Sequence, residues 1–310
     1  MRRLTKVDLL LLAVVLIWGS VFSVIKYTLQ EIGPLAFATA RFLGASIFLL
    51  ALVYLVEGKP IIEREDWLRV GVVGIIGIGF YQILFTLGLN YTTASNSSLL
   101  IATGPIFTLL FAVLFREERI VPLQIVGILV SFLGVGMIVG VHSGGLTLSV
   151  EDLKGDLFTL ICAAINGLCA VISKRPLKRL SSLRLMTVSF VLGTLSMLPF
   201  TWRALLYQPW AHLSLHGWLG LGYSAVLAGG VGYVIWFQAI GEIGATRTMI
   251  YNYLIPVVAV GVAVLTLGEH LTPLQALGAL IVFVGIALAR LAPRRGEPAL
   301  IMGGGDGDRG

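Results

Sequence analysis

Apolar runs long enough to cross a lipid bilayer recur ten times in this chain. They fall near residues 8–30, 34–56, 67–89, 95–115, 122–141, 156–173, 184–202, 216–240, 244–267 and 273–292. A helix needs about 20 mainly apolar residues to span the hydrocarbon core. Of 310 residues 57% are hydrophobic and 12% charged, too few charges to cover a soluble globule. The runs are Leu-rich with scattered glycine rather than alternating apolar and polar, which predicts helices and not barrel strands. Gly71, Gly74, Gly77 and Gly79 crowd the third run, as close helix contact in lipid favours. The fold class expected is an all-α integral membrane protein of ten transmembrane helices.

The first run follows Arg2, Arg3 and Lys6. It is too long for a signal peptide and no small-residue cleavage site follows it, so it reads as an uncleaved span. Breaks between runs carry turn and charge signals: Glu31-Ile-Gly-Pro34, Glu57-Gly-Lys-Pro60, Arg116-Glu-Glu-Arg119 and Lys174-Arg-Pro176. Residues 293–310, rich in Pro, Gly and charge, are expected to be a disordered cytoplasmic tail.

The net charge of +6 does not signal nucleic acid, because no basic face with interleaved aromatics exists. With both termini inside, 18 of the 22 Lys and Arg fall in cytoplasmic segments. Only Lys26, Lys154 and Arg203 fall on the other side, and Arg41 lies within a span. That bias sets the orientation, and one span more or fewer would scramble it. The location expected is a bacterial-type plasma (inner) membrane, multi-pass, with N- and C-termini cytoplasmic. Cys162 and Cys169, seven residues apart on one predicted helix, are about 10 Å apart along its axis, too far for a disulfide.

The chain also repeats itself. Residues 94–136 align without gaps onto 245–287, offset by 151. Ala94, Pro105, Glu118, Pro122, Gln124, Gly127 and Gly134 meet Ala245, Pro256, Glu269, Pro273, Gln275, Gly278 and Gly285. Gly19 and Lys26 meet Gly167 and Lys174 at an offset of 148. Chance apolar similarity does not match Pro, Glu, Gln and Gly together. The organisation expected is a first five-helix repeat over 1–141, a connecting loop over 142–154 and a second five-helix repeat over 155–292. Five is odd, so the second half enters from the opposite side. Inverted repeats of this kind are a transporter signature.

This pattern resembles the EamA-type members of the drug/metabolite transporter superfamily. The residues that carry the likeness are Trp18-Gly19-Ser20, Arg41-Phe42, Pro105 and Pro256, Glu118 and Glu269, and the Pro-Leu-Gln-x-x-Gly openings of spans five and ten. The likeness covers roughly 8–292. It implies ten helices, a central substrate cavity between the halves, and export of amino acids, other metabolites or drugs.

Arg41 stands about 10 Å into the bilayer, where a charge costs about 2.5–3.5 kcal/mol on insertion scales. It must face the bundle interior, either to attract an anionic or zwitterionic solute or to brace neighbouring carbonyls. Candidate cavity residues are Trp18 and Ser20 of span one, Tyr81 and Gln82 of span three, Asn96 of span four, Asn166 of span six, and Tyr233, Trp236, Tyr251 and Asn252 of spans eight and nine. Rings beside amides suit a small organic solute, and interhelical hydrogen bonding is the alternative for each. Pro105 and Pro256 are expected mid-helix as paired bends, used in gating or as static kinks that improve packing, and Glu118 and Glu269 as braces at helix ends rather than substrate ligands. Every acid is expected in a loop or near a helix end, which disfavours cationic-drug/proton antiport.

Gly77-x-Gly79 and Gly134-x-Gly136 lie in apolar helices, and no phosphate-binding Lys-Ser or Lys-Thr motif exists. No enzyme activity, cofactor or metal is expected. The partners expected are a small-molecule substrate and the bilayer, without nucleic acid; the residues set no oligomeric state and suit a monomer. The function expected is export of a small metabolite such as an amino acid, by alternating access. The alternatives are another solute class, such as a nucleoside or drug-like compound, and more remotely a membrane-embedded enzyme or a scaffold.

Overall fold

The computed structural model describes residues 5–115, 122–138, 141–142, 145–146, 150–243, 248, 251–252 and 254–291. Among these, the regular structure is helical apart from an antiparallel hairpin of two two-residue strands, β1 (Val141–His142) and β2 (Gly145–Leu146), between the halves. The first half contains α1 (Lys6–Thr28), α2 (Pro34–Val56), α3 (Trp67–Tyr91), α4 (Ala94–Leu114) and α5 (Pro122–Ile138). The second contains α6 (Val150–Ser173), α7 (Ser182–Tyr207), α8 (Leu215–Ala239, continuing to Ile243), α9 (Leu254–Leu267) and α10 (Pro273–Leu291). Seven of these, α1 to α4 and α6 to α8, are long and apolar enough to cross a membrane. Large apolar side chains such as Leu16, Ile47, Leu55 and Leu265 point outward, as a lipid-facing belt requires.

Polar residues at the breaks fix where each helix starts. Thr5 and Asp8 form a reciprocal cap on α1, with the Asp8 carboxylate accepting the Thr5 N–H at 2.8 Å. Pro34 opens α2 with a residue that needs no hydrogen-bond partner there. Gly58, at φ 79°, takes the chain out of α2 through a conformation that favours glycine. The hydroxyls of Ser181 and Ser214 cap α7 and α8 by accepting the amides of Arg184 and Gly217, each at 3.1 Å.

Three expectations need correction. Span six starts at Val150, not 156, because Glu151 and Asp152 suit the positive end of a helix and extend it by two turns. Span four breaks at Ala102–Thr103 and resumes at Gly104, so Pro105 stands in the first turn of the second piece. Pro256 is likewise the third residue of α9. Both prolines therefore sit where a missing N–H costs nothing, rather than mid-helix.

The two halves pack as inverted copies, and the main contacts recur with the halves exchanged. Helix α1 lies on α9, where a Cβ on Gly19 would meet Val258 Cβ at 2.6 Å. Its counterpart α6 lies on α4, where a Cβ on Gly167 would meet Phe107 Cβ at 2.7 Å. Likewise α2 packs against α8 and α7 against α3. Three pairs, α2–α7, α5–α10 and α4–α9, are their own counterparts. In α2–α7, Phe42 stacks on Phe190 at 5.0 Å. In α5–α10, the Ser131 hydroxyl donates to Val282 O at 3.2 Å, 151 positions away. Helices α3 and α8 share a further feature: each widens into a π-helix, over Val73–Phe80 and Tyr223–Val231. Such widening shifts the hydrogen-bond ladder and recurs at functional sites.

Candidate functional site

Arg41, the eighth residue of α2, is 3% exposed and lies between the halves. Its Nε donates to Ser224 O at 3.0 Å, and Nη1 donates to Gln82 Oε1 at 3.4 Å. The first bond crosses to the π-helical stretch of α8, and the second reaches α3 of its own half. A second carbonyl of the same stretch, Ala228 O, accepts Trp18 Nε1–H at 3.0 Å. The widened turn thus offers backbone oxygens to two side chains from the other half. A guanidinium carries five N–H donors in a fixed fork, so two are engaged and three stay open. No carboxylate pairs with Arg41 among the described residues, and its electrostatic neighbours are the phenols of Tyr81 and Tyr233. Gln82, 2% exposed, also reaches Tyr233.

Aromatic rings wall this charge. Trp18 packs on Trp236 at 5.1 Å and edge-on against Tyr233 at 5.2 Å. Tyr233 meets Phe190 at 5.2 Å, Phe190 stacks on Phe42, and the Arg41 guanidinium sits 5.2 Å over the Phe42 ring. Tyr81 stacks on Phe85 at 5.9 Å. A desolvated cation with open donors, bordered by two phenols, an amide and rings, is equipped to receive an anionic group attached to an apolar body.

The structure gathers six of the sequence candidates at this centre: Trp18, Arg41, Tyr81, Gln82, Tyr233 and Trp236. The others bond elsewhere or stand at its edge. Ser20 bonds the Tyr223 hydroxyl at 2.6 Å. Tyr251 packs in a cluster with Trp18 and Trp236 but donates its hydroxyl to Asp8 Oδ1 at 2.7 Å. Asn252 is half-buried, and its carbonyl accepts the Ile255 N–H at the start of α9. Asn166 is exposed, beside Gly104 where α6 crosses α4. Glu118 lies outside the described residues.

Asn96 belongs to a second polar cluster, at the far end of the bundle from the α1 N-terminus. There Asp156 Oδ1 accepts Asn96 Nδ2–H at 2.6 Å and Thr92 Oγ1–H at 2.7 Å. Gln275 Nε2 donates to Asn96 Oδ1 at 3.4 Å. Glu269 accepts the Ala94 and Ser95 amides at 2.8 and 3.0 Å, so a carboxylate of one half caps a helix of the other. Lys26 Nζ donates to the carbonyls of Leu89, Asn90 and Thr92. Asp156 is 0% exposed and seven residues into α6, which corrects the expectation that no acid lies inside a span. The repeat held the signal: Lys6-Val-Asp8-Leu9 falls on Lys154-Gly-Asp156-Leu157 at the offset that relates Gly19 to Gly167.

At the opposite end, a cavity of about 410 Å³ is lined by Glu65, Asp66, Arg69, Arg175, Lys178 and Arg179. Arg179 there is paired with Glu65 and Glu63. Those contacts join the loops after α2 and α6.

The sequence profile of the EamA-like transporter family matches residues 5–140 and 153–291, one copy per half. The chain is 30% identical over 285 residues to an uncharacterized transporter of Archaeoglobus fulgidus, covering 92% of this chain and 97% of that one. It is 27% identical to the uncharacterized transporter YyaM of Bacillus subtilis, covering 91% and 92%. It is also 27% identical to a probable terminal-alkyne amino-acid exporter of Streptantibioticus cattleyicolor, covering 92% and 94%. A solved crystal structure superposes with a TM-score of 0.65 at 19% identity, over 92% of this chain and 96% of that one. That likeness concerns the fold alone.

Proposed function

The chain belongs to the EamA-like transporter family, and from that premise we propose that it exports a small zwitterionic metabolite such as an amino acid. The solute binds between the halves, and rocking of one half against the other exposes it to each side in turn. The observation that carries this reading is Arg41: buried, without a carboxylate partner among the described residues, and using two of its five donors. In this reading the solute carboxylate takes the open edge of the guanidinium, where low dielectric strengthens the pairing. Tyr81, Tyr233 and Gln82 orient its polar part, and Trp18 and Trp236 pack on its apolar part. Similarity to a probable amino-acid exporter supports the solute class.

The Lys and Arg bias supports a cytoplasmic position for both termini. The first half is then 1–141 and the second, opened by α6 at Val150, runs to 292, with 293–310 a cytoplasmic tail. The test is counterflow into proteoliposomes across a panel of amino acids, nucleosides and drug-like compounds. Saturable movement of one or more amino acids is expected. Movement confined to nucleosides or drug-like compounds overturns the solute class, and no saturable movement by folded protein overturns the reading.

A further inference from the structure

The far-end cluster bears on energy coupling. Asp156 belongs to the second half, whereas both donors to its Oδ1, Thr92 and Asn96, belong to the first. Glu269, also of the second half, holds the Ala94 and Ser95 amides. Two carboxylates thus clamp the start of α4, and Lys26 fixes the turn that precedes it. The halves cannot separate at this end while these bonds persist.

The two carboxylates differ in kind. Glu269 accepts its bonds from two backbone amides at a helix N-terminus. Asp156 is fully buried, and the bonds it accepts from Thr92 and Asn96 of the first half come from neutral side chains. Hydrogen bonds to an ionised carboxylate are roughly twice as strong as neutral ones. A proton on Asp156 therefore loosens its hold on Thr92 and Asn96, and separation of the halves exposes the carboxyl to water. Proton binding and opening are then linked.

An independent observation comes from the repeat. Asp8, the counterpart of Asp156, lies at the opposite end of the bundle and accepts a bond from Tyr251 of the other half at 2.7 Å. Each half thus uses an aspartate on its first helix to hold the other half. Asp156 is buried and Asp8 half-buried, so the far end is the more tightly sealed.

We propose that Asp156 is a proton-binding site whose protonation releases the far-end clamp between the halves. This rests on the transporter reading for its purpose, since it lets a proton gradient bias the export cycle. Among the described residues, the other ionisable groups at the cluster are Lys26 from α1, Tyr91 from α3, Asp152 on α6 itself and Glu269 ahead of α10.

The experiment needs no substrate, so its failure is distinct from failure of the counterflow panel. Spin labels at Asn90→Cys and His270→Cys, both exposed and in different halves, are placed in a Cys162→Ala/Cys169→Ala background. Their separation is measured by electron–electron resonance in lipid nanodiscs between pH 8 and pH 5. A longer-distance population that grows as pH falls is expected. Asp156→Asn should give one distribution at every pH, and Glu269→Gln should keep the transition. Thr92→Val removes one donor to the carboxylate and should move the midpoint to higher pH. The proposal is overturned if the parent shows no pH transition, if Asp156→Asn titrates like the parent, if Glu269→Gln abolishes the transition, or if Thr92→Val leaves the midpoint in place.

Discussion

The hydroxyls of Ser46 and Thr194 meet at 2.9 Å, and the two residues stand 148 positions apart, the offset that relates the first helices of the two halves. Phe42 and Phe190 share that offset and stack one turn away. Residues that touch their own counterparts mark a pseudo-twofold axis through the α2–α7 contact. Arg41 adjoins that axis, and its counterpart is Ser189. The charge therefore stands on one side of an otherwise matched pair of helices. The repeat is broken at the place proposed to bind the solute.

Because Ser46 and Thr194 are in direct contact, cysteines at both positions should join across the axis. Ser46→Cys/Thr194→Cys in a Cys162→Ala/Cys169→Ala background should form an intramolecular disulfide under mild oxidation. Protease cleavage between the halves followed by non-reducing electrophoresis reads this out as two fragments that stay joined. Single-cysteine controls should separate.

Glycines at the α5–α10 crossing should differ sharply in tolerance. A Cβ on Gly134 would lie 2.6 Å from Gly278 O and 2.7 Å from Val282 N, both backbone atoms that cannot turn aside. Gly134→Ala should cost about 1–3 kcal/mol through overpacking. A Cβ on Gly136 meets nothing within 4 Å, so Gly136→Ala should be neutral or stabilise by about 0.5–1 kcal/mol. Thermal unfolding in one detergent compares the two.

Gln82→Glu separates binding from bracing. Gln82 Oε1 already lies 3.4 Å from Arg41 Nη1, so a carboxylate there pairs with the guanidinium. If Arg41 only braces the bundle, the pair strengthens the brace and transport survives. If Arg41 receives a solute carboxylate, the new acid competes for it. Counterflow should then fall at least tenfold, about 1.4 kcal/mol or more in binding, while the unfolding temperature holds.

The loop bond between Glu31 and Ser214 should give an acid-sensitive increment of stability. The Ser214 hydroxyl and then its amide, at 2.7 and 2.8 Å, hold the Glu31 carboxyl below the usual carboxylate range. Its lowered folded value means that the contribution is complete above the unfolded value and disappears as pH falls through the folded one. The unfolding temperatures of the parent and Glu31→Gln should differ by a constant amount from pH 7 to about 5 and converge below about 4. A gap unchanged down to about pH 3 would contradict it.

Much of the architecture is legible in the sequence because lipid imposes it. Helix count follows from apolar run length, and the inverted arrangement follows from Pro105, Gln124 and Gly127 meeting Pro256, Gln275 and Gly278 across an odd number of spans. Arg41 was legible because a charge in a span must face inward, and Tyr81, Gln82, Tyr233 and Trp236 because polar and aromatic residues gather near it. Features set by local backbone register were not. Nothing in the composition of Val73–Phe80 or Tyr223–Val231 marks a π-helix. The break at Ala102–Thr103 carries no charge, so the sequence alone presents Pro105 as a kink within one long span. Asp156 looks like a helix boundary in the sequence because Glu151, Asp152 and Lys154 ahead of it resemble a loop. Asn96 and Tyr251 went to the two ends because an amide and a phenol suit an aspartate as well as a solute.

Inversion of the halves is tested most directly by asking which face of the membrane each counterpart occupies. Gln30 and Lys178 are 148 positions apart, follow the first helix of each half, and are both exposed. In a Cys162→Ala/Cys169→Ala background, Gln30→Cys should react with a membrane-impermeant thiol reagent added to intact cells. Lys178→Cys should react only after permeabilisation. Labelling of both positions from the same face would contradict the inverted arrangement and, with it, the binding site between the halves.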